Sequence, residues 1–361
     1  MRWYRQCVLA VCVCFIMLIN TRCSGTNHTE ETTPLPKNTS TNQVDQNTNE
    51  PENNTDGLIR SKLTGEIVSQ EVLERRPYAI MLNNIKIASP QSGTSEASIL
   101  YECLVEGGIT RLMGIFEDFD SDRIGSTRSA RHYFVSIADE YDAIYVHYGQ
   151  TDWAIDKMKE LGVDHLSGLS KEGATVFYRD SSIKAPHNAF ASYDGIWKAT
   201  NDLGYRTKYR EDVTPHYGFY PEDTDFVDGI TARKITLGFS NYQQPYFVYK
   251  EEQKQYGRYQ FGVKHVDAST GEQLYFKNII IQLVEESNLD KNGYQTMDIE
   301  NDEGKGYYIS NGKAKSIRWK KNEKDSSCQY FDESGGALVV NTGKTYIALY
   351  PTSREKHFII E

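Results

Sequence analysis

The first stretch with the pattern of a buried element is Tyr78-Ala79-Ile80-Met81-Leu82. These five apolar side chains show no alternation, which predicts a strand covered on both faces. A turn-rich segment follows, Ser89-Pro90-Gln91-Ser92-Gly93. The sequence then predicts a helix over 95–106, a strand over 110–117 and a helix that starts at the arginines near 128 and runs to about Tyr141. Residues 143–148 read as a strand, 152–161 as a helix, 175–178 as a short strand and 189–203 as a last helix. This alternation predicts an α/β layer domain over 58–215. Beyond about Pro215 the pattern becomes strands and turns: 247–249, 259–261, 274–283, 307–309, 317–319, 337–340 and 345–350. Asn311-Gly312 and Asn341-Thr342-Gly343-Lys344 carry hairpin-turn chemistry. A β-rich domain is expected over 216–361, so the fold class is α/β followed by mostly β.

Two segments precede the globular pattern. Residues 1–23 read as an export signal, with Arg2 and Arg5 ahead of an apolar run over 7–19 that is short for a membrane span. Cys23, followed by Ser24 and Gly25, sits where an acylated cysteine would sit; an uncleaved anchor and free secretion are the other outcomes. Asn20-Thr21-Arg22 match a lipobox poorly. Residues 24–57 have Leu35 and Val44 as their only sizeable apolar side chains and read as a disordered tether that reaches on the order of 30 Å. All three outcomes place the folded part outside the cytoplasm, and the first two hold it at the outer face of the membrane.

Charge and motifs then remove function classes. A formal net charge of −10 argues against a nucleic-acid partner. Of the cysteines beyond the leader, only Cys103 and Cys328 remain, with no zinc-type spacing. The histidines are scattered, and no nucleophile elbow, phosphate loop or cofactor motif is present, so no metal or cofactor is expected.

What remains is a cluster of charge. In Gly125-Ser126-Thr127-Arg128-Ser129-Ala130-Arg131 the spacing predicts a loop entering a helix, capped by Ser126 or Thr127, with Arg128 and Arg131 on one face of its first turn. Two guanidinium groups, Ser129 and free backbone N–H groups at a helix start make a corner suited to an anion. The plain alternative is that internal carboxylates satisfy both arginines. Glu102 and Glu106, read at i and i+4 on a helix, and Arg111 after Gly107-Gly108, would join them in one ionic cluster. Arg179, His187 and Asn188 add polar loop groups, Asn188 as a possible helix cap.

The motifs Pro90-Gln91-Ser92-Gly93-x-Ser95-Glu96-Ala97, Tyr101-Glu102-x-Leu104-Val105-Glu106-Gly107-Gly108-Ile109-Thr110-Arg111, Arg128-Ser129-Ala130-Arg131-x-Tyr133-Phe134, Tyr141-Asp142-Ala143-Ile144-Tyr145-Val146-His147 and Ala185-Pro186-His187-Asn188 occur in this order. Together they resemble the YerB-type bacterial lipoproteins, a two-domain family. The resemblance implies a lipid-anchored protein on the outer face of a Gram-positive cytoplasmic membrane and no defined catalysis. It adds Gln91 and Asn84 to the site candidates; Asn83 stands where relatives often carry an acid. The expected function is a non-enzymatic envelope protein that binds an anionic envelope component or a wall-synthesis partner through the arginine cleft. The alternative is an extracytoplasmic enzyme acting on a phosphate- or carboxylate-bearing wall precursor, with Glu102 or His187 as acid/base.

Overall fold

Tyr78–Asn84 is buried at all seven positions because it lies between two partners: antiparallel Thr110–Phe116 on one side and parallel Ile144–His147 on the other. This computed structural model describes residues 59–300, 302–322 and 327–361; the leader, Cys23 and the tether lie outside the described residues. One 11-stranded sheet runs through the chain. From its centre it continues through Thr110–Phe116, Ile99–Leu104, Thr345–Pro351, Asn278–Val284, Asp302–Ser310 and Lys313–Lys321, and in the other direction through Ile144–His147 to His165–Ser167. The N-terminal half packs helices His132–Glu140, Asp152–Leu161 and Tyr193–Asp202 around its strands, and the C-terminal half is β-rich. Thr345–Pro351 joins the halves by pairing in parallel with Ile99–Leu104 on one side and with Asn278–Val284 on the other. A second sheet, of six strands, is built from C-terminal residues alone.

The structure departs from the expected elements where long-range pairing outweighs local pattern. Residues 95–106 are not a helix: a short turn at Thr94–Glu96 leads into the strand Ile99–Leu104, buried at all six positions. Ile, Leu, Tyr and Cys suit a pleated, doubly covered surface as well as a helix, and two flanking strands decide between them. The helix by the arginines starts only at His132, with Arg131 as its extended N-cap residue at φ −131°, and neither Ser126 nor Thr127 caps it. The preceding segment commits its donors elsewhere: Thr127 N–H to Ala189 O at 2.8 Å, Arg128 N–H to Met81 O at 3.2 Å and Ala130 N–H to Gly149 O at 2.9 Å. Residues 173–176 form a helical turn before the strand Phe177–Arg179. Residues 189–203 divide into the strand Ala189–Ala191 and the helix Tyr193–Asp202, capped by Ser192 and not by Asn188.

Asn311-Gly312 makes the expected hairpin, with φ of 49° and 77°, between the strands Asp302–Ser310 and Lys313–Lys321. Residues 341–344 do not. They lead from Val339–Val340, which pairs with Gly218–Phe219, into Thr345–Pro351 of the large sheet.

Candidate functional site

Three parallel strands, Tyr78–Asn84, Ile144–His147 and His165–Ser167, end on the same side of the sheet. The crevice beyond the carboxyl ends of parallel strands is where loops converge and where ligands bind in open α/β sheets. Here the segment 126–131 lies against the 148–151 loop, with Tyr148 N–H donating to Arg128 O at 3.0 Å. Gly149 is required at that contact: its φ is +88°, and a Cβ would stand 2.9 Å from Ser129 Oγ. Arg111 reaches this end because Thr110–Phe116 runs antiparallel and sets it opposite Asn83.

The three arginines are held differently. Glu106 grips Arg131 with both oxygens, Oε1 at 2.6 Å from Nε and Oε2 at 2.6 Å from Nη2. Burial raises the Glu106 carboxyl, but Arg131 outweighs it and the net shift is downward. Arg111 is only 6% exposed and has no carboxylate within 4 Å among the described residues; its Nη1 donates to Ser129 O at 2.8 Å. Burial, and then the neighbouring charge of Arg131, lowers Arg111 to about 10. Arg128 likewise has no carboxylate partner among the described residues. Its Nη1 donates to Pro186 O at 3.4 Å, and burial followed by Arg131 lowers its pKa. The corner therefore carries three guanidinium groups against one carboxylate.

The single ionic cluster expected from the sequence does not form. On a strand, side chains alternate between faces, so Glu102, paired with Leu112, points away from Arg111, paired with Cys103. Glu102 is fully buried on the opposite face, where it accepts from Thr110 Oγ1 at 2.6 Å, Asn84 Nδ2 at 3.0 Å, Tyr346 OH at 2.7 Å and Arg258 Nη2 at 2.6 Å. Asn84 belongs to this buried network as well. With all these partners and no exposure, Glu102 orients no guanidinium group of the corner. Gln91 stands between the two: its Oε1 accepts from His265 Nε2 at 2.6 Å, and its Nε2 donates to the Asn83 carbonyl. Burial, then Arg258, holds His265 neutral.

Asn83 is the link to the remaining candidates. Its Nδ2 donates to His187 Nδ1 at 2.9 Å, which leaves the hydrogen of the neutral imidazole on Nε2. Burial, then Arg128, lowers the His187 pKa. Arg179 donates to Asn188 Oδ1 at 2.8 Å and lies 4.7 Å over the Tyr148 ring, so this pair braces the loop that carries His187. Ser129 Oγ donates to Tyr148 O at 3.2 Å. Two aromatic residues complete the wall: Arg131 lies 5.9 Å from the centre of the Tyr294 ring, and Tyr294 meets Trp153 at 5.1 Å. No sequence signal singles these two out, because Tyr294 comes from the other half of the chain and Trp153 from an ordinary helix start. Among the described residues no group of three or more His, Cys, Asp or Glu side chains could hold a metal ion, and Cys103 and Cys328 are buried free thiols. No helix among the described residues is long and apolar enough to cross a membrane.

Residues 63–206 match the family model described as the N-terminal domain of DUF3048, a protein of unknown function, and residues 235–347 match the corresponding C-terminal domain. The chain is 34% identical over 263 residues to the "Putative lipoprotein YerB" of Bacillus subtilis, covering 73% of this chain and 78% of that protein. The crystal structure of YerB protein from Bacillus subtilis superposes with a TM-score of 0.74 at 30% identity, covering 84% of this chain and 99% of the solved one. Both family domains follow in order over a shared architecture, and the chain belongs to the DUF3048, or YerB-type, family.

Proposed function

We propose that this protein is a membrane-anchored extracytoplasmic lipoprotein, acylated at Cys23, that binds an anionic ligand at the corner formed by Arg111, Arg128 and Arg131, with His187 and Asn83 as hydrogen-bonding partners. One observation carries this reading: Arg111 is a desolvated cation with no carboxylate beside it among the described residues, and it sits at the carboxyl ends of parallel strands. A buried charge whose nearest carboxylate, Glu106, is already held by Arg131 is costly, and a ligand can supply the missing charge. The relative's name and the leader ending at Cys23 support the anchor. An anionic envelope component or the acidic surface of a wall-synthesis partner fits both features. An enzymatic role finds less support, since Glu102 is sealed in the buried network and His187 is left without a carboxylate partner among the described residues.

The test is calorimetric titration of the purified chain with sulfate, phosphate, pyrophosphate and acetate, beside Arg111→Met and Arg128→Ala. Saturable binding of at least one anion, reduced tenfold or more in each variant, is expected. Equal affinity in all three proteins would sink the assignment.

A further inference from the structure

We propose that the anion bound at this corner is part of a sugar, so that the ligand class is a saccharide bearing a carboxylate or phosphate. This rests on the anion-binding reading above and narrows it. Trp153 stands on the first turn of Asp152–Leu161 and keeps 36% of its surface exposed, although its ring meets Tyr294 at 5.1 Å. Tyr294 in turn lies beside Arg131, whose guanidinium carbon is 5.9 Å from the ring centre. A path of contacts therefore leads from Arg131, the charge neighbour of Arg111 and Arg128, to a partly exposed aromatic wall. Isolated exposed aromatics are common and mean little, but two in contact at the rim of an uncompensated positive corner offer an apolar face next to a charge.

A bare inorganic anion would use the arginines and leave both rings wet. A sugar acid or sugar phosphate would use both: the C–H face of its ring would cover the aromatics while its charged group met Arg111 and Arg128. The Gln150 side chain, partly exposed in the adjoining loop, accepts from Ser167 Oγ at 3.4 Å and would offer its amide N–H groups to a sugar hydroxyl. The two rings pack on each other at 58°.

The experiment is calorimetric titration of the whole chain with five probes: glucuronic acid, N-acetylglucosamine 1-phosphate, neutral N-acetylglucosamine, inorganic phosphate and uridine monophosphate. The proteins compared are wild type, Trp153→Ala, Tyr294→Leu and Arg128→Ala, each checked for an unchanged melting temperature; two aromatic variants guard against one that fails to fold. At least one charged sugar is expected to bind tenfold or more tightly than phosphate or the neutral sugar. Either aromatic variant should erase that advantage and leave phosphate affinity unchanged, whereas Arg128→Ala should weaken both. Phosphate binding as tightly as the charged sugars, or charged-sugar affinity indifferent to both aromatic variants, would overturn the sugar assignment and leave the anion site standing. The nucleotide binding best would also overturn it, in favour of a base on the rings. No anion binding at all would remove the underlying reading as well.

Discussion

Arg111 and Arg131 converge on one corner, yet only Arg131 is matched: Glu106 meets it with two contacts of 2.6 Å, while Arg111 has the Ser129 carbonyl at 2.8 Å. The asymmetry separates stability from binding. Arg131→Ala strands the partly buried Glu106 carboxylate and should cost about 1–3 kcal/mol in denaturant unfolding. Arg111→Met removes a desolvated cation that has no carboxylate in direct contact and shares the field of Glu106 with Arg131, so it should cost the unliganded protein less than Arg131→Ala while weakening anion binding tenfold or more. An Arg111→Met protein destabilised as much as Arg131→Ala would mean that Arg111 has a structural role.

Glu102 and Arg258 are both fully buried and 2.6 Å apart. Glu102→Gln leaves the Arg258 charge unmatched and should destabilise by about 3–5 kcal/mol, and Arg258→Met alone should do similar damage. The double variant Glu102→Gln/Arg258→Met should recover much of the loss, which a double-mutant cycle of unfolding free energies would reveal. Additive losses would show that the two groups are not coupled.

Anion binding should strengthen in acid. His187 faces the corner neutral, since burial and then Arg128 keep its pKa below the ordinary 6.5, and it gains a charge only as the pH falls below that value. With sulfate, whose own charge does not change in this range, affinity measured by titration should rise as the solution is acidified. His187→Gln should flatten the profile. A flat wild-type profile would place His187 outside the binding site.

Stability should move in the opposite direction. Burial, with the His165 ring as a lesser cause, holds His147 down at about 4 against its ordinary 6.5, and burial puts His132 at about 4 as well. Between those values the unfolded chain binds protons that the native state does not. The contribution of each ring is therefore complete above 6.5 and is lost as the pH falls towards 4. For the more deeply buried His147 the loss approaches about 3 kcal/mol. Urea midpoints taken across this window should fall steeply in wild type and less in His147→Gln.

The strands Tyr78–Asn84 and Thr110–Phe116, the helix Asp152–Leu161 and the Asn311-Gly312 hairpin were legible from local pattern alone, because burial and turn chemistry are written at those positions. Residues 99–104 were not, since one of the two strands that settle their state, Thr345–Pro351, lies more than two hundred residues away. That one exchange of helix for strand also divided the candidate site. A helical 95–106 would have put Glu102 and Glu106 on one face, whereas the strand sends Glu102 to Arg258 and leaves Glu106 to Arg131. Arg111, Arg128 and Arg131 were recognisable as a group because short loops bring them together. Asn83 was in view only as an unusual residue, and its contact with His187 depends on a loop that folds back from about a hundred residues on.

Thr345–Pro351 stands inside the large sheet although it is made long after its neighbour Ile99–Leu104. Until it emerges, Ile99–Leu104 has one open edge and Asn278–Val284 another, and Glu102 lacks the Tyr346 hydroxyl. The half made first therefore lacks a sheet partner until residues 345–351 have been made. A chain cut short before residue 345 loses the seam of the sheet and not merely its end.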